Sequence, residues 1–230
     1  MANVDSYAQL TMRNGSVVPL ANTATTEGIE DVIQTDANFV GSAQSAGTFA
    51  TQSLGSSIVV SAGISAENDM CYAYVRSAGL IKLALPVSGL SSGMGLPGLL
   101  PYPKALVSGD DVVAMANTAA DREVSLSVAC SNGEYHVFSV TPNSANEWEL
   151  VSVLTGQSIG ETLQGRVVTH AFSMGGNNSL NFSSPIYFLN GSGTPIGSVT
   201  PNDPAVDTGL YQRCQVPIAL NTRVVFRTDA

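Results

Sequence analysis

From Ser56 onward, short runs of alternating apolar and polar residues recur along this chain, with turn-forming residues between them. They read SSIVVSAGI, CYAYV, LIKLAL, DVVAMAN, EVSLSVAC, EYHVFSV, ELVSVL, GRVVTHAFSM, SPIYFLN, VPIAL and RVVFR. Alternation with a period of two puts successive side chains on opposite faces of a strand. Roughly eight to ten strands of this kind, with no long helical period among them, predict an all-β antiparallel sandwich or barrel. A parallel α/β fold would need crossover helices, for which the sequence has no candidates.

The clearest sample is SLSVACSNGEYHVFSV, residues 125–140. Asn132-Gly133 supplies the positive φ values of a type I′ turn, so the stretch predicts a hairpin with Cys130 opposite Tyr135 and Val128 opposite Val137. In that register Val124, Leu126, Val128 and Cys130 share an apolar face, while Glu123, Ser125, Ser127 and His136 lie on the polar one.

The strands assign residues 56–230 to a single β domain, a size that sandwiches and barrels reach. Residues 1–55 are rich in Ala, Thr, Ser, Asn and Gln without sustained periodicity, and read as an extended N-terminal arm. Within them only TTEGIEDVIQ, residues 25–34, has the pattern of a helical turn, weakened by Gly28. A second irregular stretch, LPVSGLSSGMGLPGLLPYPK at 85–104, is dense in glycine and proline yet apolar. It reads either as a contact surface or as a loop folded back over one end of the barrel.

Charge narrows the partners. The net charge is −9, and Lys82 and Lys104 are the sole lysines beside seven arginines, with no basic track, so direct nucleic-acid binding is not expected. Apolar residues make up 44% and charged residues 12%, about half the charged share usual in soluble domains. Such a surface must be covered by small polar residues or by another protein. Cys71, Cys130 and Cys214 are few and scattered, which predicts buried thiols and no disulfide framework. No secretory signal or membrane-length apolar run is apparent, so synthesis in the cytoplasm is expected. The N-x-[ST] sequons at Asn14, Asn177, Asn181 and Asn190 are then accidents of composition.

Chemistry is sparse. His136 and His170 are the chain's two histidines, and neither belongs to a nucleophile motif. Asp110 and Asp111 are adjacent, so on a strand they point apart; SGDD reads as a turn entering a strand. Glu147 and Glu149 flank Trp148 and share a face, as an exposed polar edge or a sugar-binding element. Asp203 and Asp207, with Asn202, offer oxygen ligands for calcium without EF-hand spacing. NGSGTPIG at 190–197 lacks the lysine and helix of a phosphate loop and reads as a turn between strands. We therefore expect no enzyme and assign no catalytic, cofactor-binding or metal-binding residue.

Open β-sheets protect their edges, often with lysine, and this chain has little to spend there. Low charge, a Ser/Thr/Gly-rich surface and a sparsely charged arm point to edges covered by copies of the same chain. In length, composition and strand pattern the chain resembles viral coat proteins of the single jelly-roll kind, especially those of icosahedral viruses with an internal membrane, and phage cement proteins. The resemblance implies a jelly-roll topology and a structural virion protein, capsid or capsid-associated, that forms symmetric homo-oligomers and contacts other virion proteins. Many coat proteins that enclose a genome carry a basic arm, whereas this arm has only Arg13. The implied place is thus against a membrane or other protein, away from nucleic acid. The alternative reading is a carbohydrate- or receptor-binding sandwich of a spike or fibre.

Overall fold

The computed structural model of the chain describes residues 3–11, 15–26, 31–32, 59–64, 70–77, 80–88, 98–99, 101–102, 109–117, 124–142, 147–175, 185–200 and 211–227. It is an all-β structure in which every strand pairing among these residues is antiparallel. The C-terminal half is a two-sheet sandwich. One sheet contains β9 (Val124–Cys130), β10 (Tyr135–Val140), β12 (Val151–Ser152), β13 (Val167–Gly175) and β16 (Gln212–Pro217), in the order β12-β10-β9-β13-β16. The facing sheet contains β11 (Glu147–Glu149), β14 (Ile186–Leu189), β15 (Pro195–Val199) and β17 (Arg223–Arg227), in the order β11-β17-β14-β15. A short helix, α1 (Ile159–Leu163), bridges β12 and β13.

The interior lies between these sheets. Leu126, Val128, Cys130 and Phe138 from one sheet meet Ile186, Phe188, Val224 and Phe226 from the other, with Leu150, Ile159 and Leu163 closing one side. Phe138, Phe188 and Phe226 are fully buried. Burying a side chain of this size is worth about 1.5–3 kcal/mol relative to leaving it in water, so these aromatic layers hold the sheets together.

The N-terminal half adds two further sheets. β1 (Asn3–Thr11) and β2 (Val17–Thr26) form a hairpin whose first strand also pairs with β4 (Val59–Ile64), and β7 (Gly98–Leu99) completes the order β2-β1-β4-β7. The other sheet contains β3 (Asp31–Val32), β5 (Met70–Ser77), β6 (Leu80–Ser88) and β8 (Asp110–Asn117), ordered β3-β8-β5-β6. Within the segment read as an arm, residues 3–11 and 17–26 are thus paired into a sheet of their own chain; the remainder, apart from Gly15, Ser16 and β3, lies outside the described residues. The helical pattern at 25–34 is not realised where it is described, because Thr25 and Thr26 close β2 and Asp31 opens β3. Local propensity for a single turn is weak beside the ladder bonds that a neighbouring strand offers. Of the apolar stretch at 85–104, Leu85–Ser88 extend β6, which runs antiparallel to β5 with Pro86 opposite Tyr72.

The hairpin at 125–140 forms, but one residue out of the expected register. Tyr135 pairs with Ala129 and His136 with Val128. Gly133 takes φ +81° and donates its N–H to the Cys130 carbonyl at 2.9 Å, while Cys130 donates to the Glu134 carbonyl at 2.8 Å. This is a three-residue connection with glycine in the left-handed position, and it adds one residue to the two-residue turn expected. Asn132 spends its side chain on the Glu134 N–H at 3.2 Å. Because the pleat has a period of two, the slip exchanges the faces of β10: His136 moves to the side of Val128 and Cys130, and Tyr135 to the side of Ser127.

The expected polar face of β9 is not at the surface either. All seven of its residues are buried, Ser125 and Ser127 included. Tyr211 covers Ser127, their hydroxyls 2.7 Å apart, and packs against Tyr135 and Phe172, while β6 lies against β9 and β10. The five-stranded sheet is therefore sandwiched on both sides.

Gly160 fixes how α1 sits. Its N–H donates to the Thr222 carbonyl at 3.1 Å, and a Cβ there would collide with the Leu220 carbonyl and lie 2.7 Å from that of Thr222. Gly160→Ala is therefore expected to lower stability by about 1–3 kcal/mol, the usual cost of overpacking against backbone that cannot yield. Urea unfolding of the two proteins measures it.

Candidate functional site

Three connections converge at one end of the sandwich. The first is the segment from β11 to α1, whose turn is held by the Ser152 carbonyl accepting from Gly156 at 2.8 Å and by the Ser152 N–H donating to the Gln157 carbonyl at 2.8 Å. It ends in a capping box: Glu161 accepts from the Ser158 N–H at 2.9 Å, and the Ser158 hydroxyl accepts from the Glu161 N–H at 3.3 Å. The second is the β14–β15 turn, which Asn190 ties together through its Oδ1, accepting from the Ser192 N–H, the Ser192 hydroxyl and the Thr194 N–H at 3.1, 2.8 and 2.9 Å. The third is the β16–β17 turn, closed by Thr222 Oγ1 accepting from Ala219 at 2.9 Å.

Between them lies a cleft of about 660 Å³ lined by Glu149, Ser158, Glu161, Asn221 and Arg223, with Val151 and Leu220 as apolar wall. Arg223 spans the two carboxylates expected to share a face, 3.7 Å from Glu147 and 3.9 Å from Glu149. Glu147 also binds Arg227 at 2.9 Å. Burial pushes the Glu149 carboxyl upward, with Arg223 opposing and Glu161 and Glu147 adding to the rise. Glu161 is held below the ordinary carboxylate value by its bonds to Ser158. The Glu147–Glu149 pair is thus engaged with two arginines, and half-buried Trp148 between them lies opposite Phe226 in the ladder.

A second polar cluster occupies the outer face of the five-stranded sheet. A β-bulge in β13 places Thr169 and His170 against Ala129. Tyr102 docks there. Its hydroxyl is 2.8 Å from Thr169 Oγ1, its ring meets His170 edge-on at 5.5 Å, and its backbone N–H and carbonyl both bond the Tyr135 hydroxyl at 2.7 Å. The last described residues of the apolar 85–104 stretch are therefore fastened to the sandwich. Burial, then the charge of Arg213 opposite in the ladder, pulls His170 below its ordinary value of 6.5.

The remaining residues singled out by sequence fall as follows. His136 Nε2 lies 3.6 Å from Glu134, which also binds Arg166 at 3.2 Å. Cys130 is buried and Cys214 half-buried, and desolvation pushes each thiol up to about 11, away from nucleophilic use. Asp110 opens β8 directly after the Gly109 turn and is buried, with Asp111 beside it half-buried. NGSGTPIG forms the β14–β15 turn and the start of β15. Asn14, Asn177, Asn181, Asn202, Asp203 and Asp207 lie outside the described residues. Among the described residues, no three His, Cys, Asp or Glu side chains gather as a metal site. Sequence reasoning missed Ser158, Asn221, Arg223 and Tyr102. Only Ser158 had a local signal, the S-x-x-E spacing to Glu161.

The fold favours neutral His170, whereas the unfolded chain protonates it at its ordinary value. The unfolded state then binds more protons as pH falls below about 6.5, so stability is lost in that window. Glu134 works lower. Arg166 depresses its carboxyl, so its contribution is present above 4.5 and is lost as pH falls below that value. Thermal midpoints of the wild type and His170→Gln across pH 7 to 5 are expected to diverge, the variant losing less stability on acidification. Parallel curves would show that His170 does not titrate differently in the two states.

No family model, no curated protein and no solved structure matches this chain.

Proposed function

We propose that this protein is a structural component of a virion shell, capsid or capsid-associated, that assembles through copies of itself. The observation carrying this reading is apolar surface left uncovered on the sandwich. Val153, Leu154 and Ile196 are 40, 48 and 38% exposed, on the connection between β12 and α1 and on the edge strand β15. Large apolar side chains exposed on loops and edges are what a partner surface can remove from water. Successive strands change sheet from β13 to β14, from β15 to β16 and from β16 to β17, a connectivity that the proposed jelly roll shares with other sandwiches.

The formal charge of −9 opposes a polyphosphate, so the partners proposed are protein copies, other virion proteins and the surface of an internal membrane. Size-exclusion chromatography with light scattering, followed by electron microscopy, tests assembly directly; a monomer at high concentration would remove the reading. Joint Val153→Asp and Leu154→Asp substitution is expected to shift assemblies to smaller species. Both positions are exposed, so stability should change by less than about 0.5 kcal/mol per site.

A further inference from the structure

We infer that the cleft between α1, the β14–β15 turn and the β16–β17 turn binds a neutral sugar ring without a metal ion. Its volume of about 660 Å³ falls in the range of roughly 300–1,000 Å³ typical of small-ligand sites. A sugar presents hydroxyls that both donate and accept around its rim, and C–H groups on its faces. The cleft answers both. Glu149 accepts, Arg223 donates, and the Asn221 amide does either. Val151 and Leu220 line the same cavity with aliphatic surface exposed to solvent, Leu220 at 57%.

Charge selects against other ligands. Arg223 is already shared between Glu147 and Glu149, and Glu161 stands on the same wall, so an anion would meet three carboxylates around one engaged guanidinium. A small cation would have to compete with Arg223 for the same oxygens. A neutral polyol needs neither displacement, and it can exchange the cleft's water for hydroxyls of the same kind.

Glu149 and Arg223 are also paired before any ligand arrives. The Asn221 side chain sits over Gly191, where a Cβ would collide with it, and Gly160 locks the Leu220 backbone against α1. Preorganised walls reduce the ordering cost of binding. A monomer can bind a sugar, so this inference and the shell reading fail separately.

The test is saturation-transfer NMR on the full chain with glucose, galactose, mannose and N-acetylglucosamine, each titrated alone. At least one is expected to saturate in the millimolar range. Asn221→Ala should weaken that binding about tenfold or more, the loss of one oriented hydrogen bond, and Glu149→Gln several-fold, because the amide oxygen still accepts but without the carboxylate's charge. Leu220→Ala should weaken it several-fold. Circular dichroism checks that each variant is folded, and the exposed Asn221 and Leu220 positions keep the test open if Glu149→Gln is not. The inference is overturned if no sugar saturates, if the folded variants bind as the wild type does, or if lysine methyl ester or acetate occupies the cleft in preference.

Discussion

Burial of β9 on both faces is the constraint from which the rest of the architecture follows. A strand in a two-layer sandwich needs cover on one side only, and its other side can meet water. Here Leu126, Val128 and Cys130 face the second sheet, while Ser125, Ala129 and Ser127 are equally inaccessible beneath Tyr211, Tyr135 and β6. The outer cover comes from distant parts of the chain. Tyr102 reaches Thr169 and Tyr135, and Tyr211 reaches Ser127, so the outer layer is assembled from long-range contacts.

Those two covers differ in kind. The inner one is apolar and rests on area removed from water. The outer one mixes rings with hydroxyls, so its polar atoms must find partners or carry a desolvation cost. Ser127 is matched to Tyr211, whereas the Ser125 and Ser173 hydroxyls have no hydrogen-bond partner among the described residues, each a deficit of about 1–3 kcal/mol. The β13 bulge serves the matched part of this layer, because it lets Thr169 donate to the Ala129 carbonyl at 3.1 Å while accepting from the Tyr102 hydroxyl at 2.8 Å.

The opposite requirement governs the end of the sandwich. Its connections are short and closed by their own side chains, Asn190, Ser158, Glu161 and Thr222, so little backbone polarity is left to satisfy. That self-sufficiency lets Leu220, Asn221 and Arg223 project around an open cleft instead of filling it. Rigid connections on a sandwich are where binding groups are commonly carried.

The sequence by itself determined that this chain is made of antiparallel strands, because alternation and turn residues act over a few neighbours. It also placed Glu147 and Glu149 on one face, again a local consequence of the pleat. Register was beyond it. Asn-Gly supports a two-residue or a three-residue connection, and the residue between Cys130 and Asn132 decides which faces of β10 turn inward. Nor could it reveal that serine-bearing faces are buried, that Arg223 and Arg227 pair with Glu147, or that Tyr102 meets His170. Each of these joins residues far apart along the chain, and such contacts exist only once the sheets have stacked. Tertiary packing therefore decided the second cover of β9, the cleft and its charge balance.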